Sequence, residues 1–326
     1  MNQYQAIVVR HTGTADVLQL ESLRMRQPRK GEVQVKVLAA GVNFIDVYHR
    51  SGLYPQQLPF TPGGEMCGEV VALGAGVEDF KVGDRVGTAT AGQGCYAELV
   101  NVAADKLVKV PTGLAAETVA AMLLKGMTAQ YLLRQVYRVG PDDTILVHAA
   151  AGGVGLILCQ WAKALGATVL GTVSSPAKAK LARAHGCDHV IDYSRKDFVK
   201  EVRRLTQGHL LPVVYDSIGK DTFPASLDCL QRFGLFVSYG NASGPVPPFS
   251  PGLLAQKGSL FMTRPTLFDF VRTPQELRKV AAELFRVVKS GAVHIRVNHR
   301  YPLAEAASAH ADLEARRTTG SIVLLP

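Results

Sequence analysis

The chain has 326 residues, enough for two domains with separate cores. With 47% hydrophobic and 19% charged residues, its composition is that of a globular protein and excludes a disordered or low-complexity one. A net charge of +9 suits either a polyanionic partner or a solvated surface serving a phosphate-bearing cofactor. Lys and Arg are spread along the chain, apart from modest clusters such as 200–204, which favours the cofactor and leaves nucleic acid as the rival.

No apolar run approaches the roughly 20 residues that span a bilayer. The N-terminus goes directly into a strand without a charged-then-apolar leader, so a cytoplasmic protein is expected. The five cysteines (Cys67, Cys95, Cys159, Cys187, Cys229) are scattered, with no C-x-x-C. That pattern suggests buried thiols, not a disulfide framework or a zinc knuckle.

Residues 1–110 read as β-rich. Alternation over 5–10 and 32–40 puts Val33, Val35 and Val37 on one face, with Gln34 and Lys36 on the other. Glycine pairs at 63–64 and near 74–76, with Val82-Gly83-Asp84, punctuate further short strands. A helix over about 115–136 follows, nearly all apolar in its 118–124 stretch.

From Asp143 the rhythm becomes strand–helix alternation, with strands at 144–148, 168–173, 189–191, 213–215, 234–239 and 259–263. Six such strands imply a parallel sheet covered on both faces, the doubly wound Rossmann form of the α/β class. A later helix opens on Thr273-Pro274-Gln275-Glu276, a capping box with proline at its first position. A short strand, a helix near 303–316 and a strand at 321–325 form a tail expected to return to the first domain. The boundaries are 1–125, 126–263 and 264–326.

The first strand of this series leads through a small-residue turn into a helix from Val154. That βαβ arrangement places a pyrophosphate at the helix N-terminus, at Gly152, Gly153 and Val154. Ala150 stands where the first glycine of G-x-G-x-x-G is usual. No Asp or Glu occurs between Gly155 and Asp188 to bind a ribose 2′-hydroxyl. The second strand ends instead in Ser174 and Ser175, with Lys178 beyond. Hydroxyls and a lysine suit a 2′-phosphate, so NADPH is expected over NADH. Asp216-Ser217-Ile218-Gly219 and Tyr239-Gly240-Asn241 follow the fourth and fifth strands, at the edge where ligands of such sheets bind, and read as a ribose and nicotinamide rim.

These residues resemble the medium-chain dehydrogenase/reductase superfamily, specifically its zeta-crystallin-like quinone oxidoreductases. The signature is Asp142-Asp143, Leu146, Ala150-Ala151-Gly152-Gly153-Val154-Gly155, Gln160 and Lys163. Supporting stretches are 41–46, 51–55, 82–86, 216–219, 226–231 and 256–260, so the resemblance covers essentially the whole chain. It implies a GroES-like, partly open β-barrel catalytic domain built from both chain ends. It also implies an active site in the cleft between the domains, and a homodimer paired through edge strands, here the apolar segment 258–262. Beyond the residues already named, it implies that Asn43, Phe44, Ile45, Asp46, Thr128, Tyr131, Tyr193, Ser238, Arg264 and Arg317 line the NADPH site.

Zinc-dependent relatives hold the metal through positions that fall here on Asn43 and Gly64, and no four-cysteine lobe occurs. Catalytic zinc needs three protein ligands, so no metal is expected. A quinone is already electrophilic, and the protein has mainly to orient it and stabilise charge on its oxygen. Asn43 and Asp46 are three apart, on one face of a short helix. Asn43 is expected to donate from its amide to a quinone oxygen or a ribose, and Asp46, ionised, to orient Asn43 or a tyrosine. Tyr54 is placed to stack on a planar substrate. His148, at a strand end, reads as structural. Reduction of an enone or alkenal is the rival enzymatic reading; AU-rich RNA binding or a structural zeta-crystallin-like protein is the rival of another class.

Overall fold

The computed structural model describes residues 3–326. They form two compact units: the chain through Met127 with Val271–Phe285 and Ile295–Pro326, and Thr128–Phe270 with Arg286–His294. Residues 264–270 and 286–294 thus belong to the second unit, whereas the sequence assigned 264–326 whole to the first. Two contacts explain the difference. The Phe270 ring stacks on Tyr131, centroids 4.4 Å apart, and the Gln160 amide both donates to His294 O (3.1 Å) and accepts from His294 N (2.9 Å).

The first unit is built on strand Glu32–Val42. Strand Met66–Leu73 pairs with it antiparallel, and Leu99–Ala103 and Ser321–Leu325 also bond to it. Arg85–Thr88, Val108–Lys109 and the parallel partner Val297–Pro302 complete the seven-stranded sheet, beside a hairpin of Gln3–Val8 and Gln19–Arg24. Val33, Val35 and Val37 are buried, as their alternation requires, against Met66, Val70, Leu303 and Ile322.

The second unit is a six-stranded, all-parallel sheet: His189–Asp192, Thr168–Val173, Thr144–Val147, Leu211–Asp216, Leu230–Ser238 and Phe261–Thr263, in spatial order. In chain order this is 3-2-1-4-5-6, the doubly wound arrangement with its switch point beside the first strand. Helices Gly153–Ala164, Pro176–Arg183 and Phe198–Leu205 fill the first crossovers. Only a 3₁₀ turn, Ala225–Cys229, stands between the fourth and fifth strands.

The single helix expected over 115–136 is segmented. Ala116–Ala120 stops, Leu123–Tyr131 restarts, and a π turn occupies Leu132–Val136. Distant side chains take over backbone groups at the break: Ser321 Oγ donates to Ala121 O (2.9 Å), and Glu65 accepts from Leu124 N (2.8 Å). Helix Pro274–Lys289 carries the capping box read from the sequence, with Thr273 and Glu276 exchanging bonds of 2.9 and 3.2 Å. Among the described residues no helix is long and apolar enough to cross a membrane.

Candidate active site

In the second unit the carboxyl ends of the parallel strands carry a continuous set of polar groups. Leaving the first strand, His148 N and Ala150 N bond to Tyr215 O and Thr172 O on the two neighbouring strands. The intervening Ala149 adopts a left-handed conformation, φ +52°. Gly152 then caps helix Gly153–Ala164, its N–H closing a turn onto Ala149 O at 2.8 Å. A Cβ at Gly155 would run into the carbonyl of Ala149, so the helix can start this close only over a glycine. Gly152, Gly153 and Val154 are half-buried while the rest of the helix to Ala162 is buried. The first N–H groups of a helix have no partners within it, and the dipole adds positive potential there.

Ala150 is buried, and its methyl is accommodated by Gly171 on the adjacent strand. A Cβ at Gly171 would stand 2.7 Å from Ala150 Cβ and 2.6 Å from Cys187 Sγ. The small residue of the turn and the glycine of the strand are complementary, so alanine in place of the first glycine costs the site no space.

Ser174 and Ser175 follow the second strand. Ser175 caps helix Pro176–Arg183, accepting Lys178 N at 3.3 Å, and Lys178 itself is half-buried. Tyr193 is tied to the same edge through its N–H to Val173 O (3.1 Å). Beyond the fourth and fifth strands, Asp216 Oδ1 accepts from Ile218 N (2.7 Å) and Gly219 N (3.0 Å), and Tyr239 N reaches Asp216 O (2.8 Å). This shapes the turns bearing Ser217, Gly240 and Asn241, with the buried Ser238 ending its strand. Arg264 follows the sixth strand and is close enough to Tyr131 to act on its hydroxyl electrostatically. Thr128 and Tyr131 are buried in the helix that opens this unit, and burial pushes the Tyr131 hydroxyl well up. His148 is structural: it bonds Thr172 Oγ1 (2.8 Å) and Ser226 Oγ (2.9 Å), and burial lowers its pKa.

These residues fit a dinucleotide phosphate. The helix start offers N–H groups, the second strand ends in hydroxyls with a lysine beyond them, and no carboxylate follows that strand. Arg317 belongs to the first unit, where its guanidinium holds Asp312 at 2.7 Å.

In the first unit, helix Phe44–Ser51 is entered through Asn43 and ends at Gly52. Phe44 and Ile45 are half-buried at its start. Asp46 Oδ2 accepts from Asn43 N (2.9 Å) and from Tyr96 Oη (3.0 Å), so this carboxylate orients the Asn43 backbone and a tyrosine. It is not an ordinary ionised acid, however. It is buried, and desolvation raises its pKa to about 7. Tyr96 Oη also meets His310 Nε2 (3.1 Å), whose pKa burial lowers to about 3.

The Asn43 amide points inward. Nδ2 donates to Glu65 Oε2 (2.8 Å) and to Gly41 O (3.4 Å), which uses both of its hydrogens. Donation from this amide to a quinone oxygen therefore does not fit the geometry; Asn43 retains only its side-chain oxygen. Tyr54 is half-buried, its ring edge-on to Tyr48 with centroids 5.1 Å apart. Glu65, Lys125, Tyr96 and His310 were not read as site residues from the sequence. The available signal was a glutamate and a lysine set against apolar runs, 63–67 and 118–124. Among the described residues no group of three His, Cys, Asp or Glu is placed to hold a metal.

Two family models match: the alcohol dehydrogenase GroES-like domain over residues 29–112, and the zinc-binding dehydrogenase domain over 153–286. A quinone oxidoreductase of Pseudomonas aeruginosa is 54% identical, covering 96% of this chain and 97% of its own. The 2-haloacrylate reductase of a Burkholderia species is 46% identical, covering 98% of each chain. The crystal structure of Escherichia coli quinone oxidoreductase complexed with NADPH superposes with a TM-score of 0.97 at 46% identity, over 99% of this chain and 100% of that one. With this near end-to-end similarity in sequence and fold, the chain belongs to the quinone oxidoreductase family of the medium-chain dehydrogenase/reductase superfamily.

Proposed function

We propose that this protein is a zinc-independent, zeta-crystallin-like NADPH:quinone oxidoreductase. The observation that carries the cofactor is the donor set at the carboxyl edge of the second unit: helix N–H groups at Gly152–Val154, then Ser174, Ser175 and Lys178, with no acid from the second strand. When bound, NADPH supplies a hydride, which with one proton from solvent reduces a quinone to a hydroquinone. The chain's own part is positioning. The helix N-terminus holds phosphate, Lys178 reads a 2′-phosphate, and Ser217, Gly240 and Asn241 form the rim for the ribose and ring.

The quinone as acceptor rests on the likeness to quinone oxidoreductases at 47–54% identity. A second acceptor class is favoured by one specific finding, the 46% identity to a 2-haloacrylate reductase: an activated alkene. Purified protein should oxidise NADPH with a planar quinone, and kcat/KM for a quinone against an enone ranks the two acceptors. Failure of NADPH to bind in titration calorimetry overturns both.

We extend the reading to a cytoplasmic homodimer paired through strand Phe261–Thr263. Supporting the dimer, this strand ends the six-stranded sheet, and Phe261 is 60% exposed on it. An open, apolar strand edge is a liability that a second copy would cover.

A further inference from the structure

We propose that Glu65 is the positioning residue for the Asn43 amide, so that Asn43 meets its ligand as a hydrogen-bond acceptor. The inference rests on the NADPH reading above for the identity of the ligand and on geometry for everything else.

An asparagine amide can usually be turned end for end. Here it cannot, because both groups facing Nδ2, the Glu65 carboxylate and the Gly41 carbonyl, are acceptors only. Turning the amide would set oxygen against oxygen on both sides. Glu65 in turn is fully buried and held at three points. Its Oε1 accepts Leu124 N (2.8 Å) at the start of helix Leu123–Tyr131, where the helix dipole favours negative charge. Its Oε2 accepts Asn43 Nδ2 and lies 3.4 Å from the buried ammonium of Lys125. Gly41 closes the remaining side: any side chain there would strike the Glu65 carboxylate and the Ala120 carbonyl.

A buried carboxylate that lost one of these donors would carry a large desolvation cost, so the arrangement is stiff. Asn43 is thereby left with its oxygen as the group it can offer. The matching ligand group is a donor: a ribose hydroxyl or the carboxamide NH₂ of a nicotinamide. A quinone oxygen, itself an acceptor, does not match. Asn43 is accordingly assigned to holding the cofactor, with Glu65 and Lys125 as the groups that aim it.

The test is a reciprocal exchange. Glu65→Gln leaves one acceptor where two are needed, and Asn43→Asp sets carboxylate against carboxylate. Each single variant is expected to weaken NADPH binding about tenfold or more, measured by fluorescence titration. The double variant Asn43→Asp/Glu65→Gln restores a donor facing an acceptor at position 65 while leaving oxygen against oxygen at Gly41, and is expected to bind NADPH better than either single variant but short of wild type.

A second readout needs no cofactor. In protein labelled with ¹⁵N-asparagine, the Asn43 side-chain amide, assigned by its disappearance in Asn43→Asp, should exchange slowly with solvent and become fast in Glu65→Gln. A Glu65→Gln protein with unchanged NADPH affinity and slow exchange overturns the proposal, as does a double variant no better than the worse single. Should Glu65→Gln not fold, exchange in the wild type and the double-variant comparison carry the test. A wild type that binds no NADPH yet protects the amide overturns the cofactor reading and supports the positioning. A rapidly exchanging wild-type amide overturns the positioning whatever NADPH does.

Discussion

Ala150 and Gly171 are a complementary pair on adjacent strand ends: the methyl of one occupies the space left by the missing side chain of the other. Gly171→Ala would force a Cβ to within 2.7 Å of Ala150 Cβ and 2.6 Å of Cys187 Sγ. Overpacking of a tight core costs about 1–3 kcal/mol. Urea denaturation should show a loss of that size with an unchanged slope, and wild-type stability would mean that the turn yields freely.

Lys178 follows two serines on a strand end without an acid. Lys178→Ala should raise the KM for NADPH about tenfold, equivalent to about 1.4 kcal/mol, while leaving that for NADH nearly unchanged. Steady-state kinetics with both cofactors checks it. Equal effects on the two would show that this lysine does not read the 2′-phosphate.

Asp46 and His310 give opposite pH dependences. With a folded pKa of about 7, raised above the usual carboxylate value, Asp46 binds its proton more tightly in the folded state, so its contribution declines as pH rises from about 4 to 7. His310, lowered to about 3, stays neutral in the folded protein while the unfolded chain protonates, so stability falls as pH drops below about 6.5. Asp46→Asn should be relatively more stable at pH 8 than at pH 5, by at most about 3 kcal/mol at about 1.36 kcal/mol per unit over the two units from pH 5 to the folded pKa. His310→Gln should lose less stability than wild type between pH 6.5 and 4. Thermal melts across pH 4–8 would show parallel curves for all three proteins if neither group is coupled to folding.

Phe261→Asp places a charge on the exposed edge strand. Light scattering after size exclusion should report a dimer for wild type and a monomer for the variant, with NADPH binding retained. A monomeric wild type would remove the edge-strand dimer.

The strand–helix alternation of the second unit and the capping box at Thr273 were legible because each depends on local pattern: periodicity, glycine turns, a four-residue cap. The turn at Gly152 and the cap at Ser175, with Lys178 in the helix it starts, were legible for the same reason, since they lie along one βαβ run. The environment of Asn43 was not. Its orientation depends on Glu65, Lys125 and, through Asp46 and Tyr96, on His310, which are far apart in the chain and converge only once the sheet forms. Their types were visible and their proximity was not, so the internal partners of the Asn43 amide, Glu65 and Gly41, were missed. Asp46 shows the same limit, because its raised pKa comes from burial that no short motif encodes.

Strand Ser321–Leu325 pairs with Ala40–Val42, the residues that lead directly into Asn43. In the chain these partners lie on either side of the whole second unit. A ribosome must therefore complete the nucleotide fold before the strand feeding Asn43 acquires this neighbour. The second unit, apart from its return segment 286–294, can assemble early during synthesis, while the first waits on a pairing of high contact order. Any change that delays or caps the 321–325 strand, a bulky fusion beyond it included, acts at the Asn43 loop, far from it in sequence and next to it in the sheet.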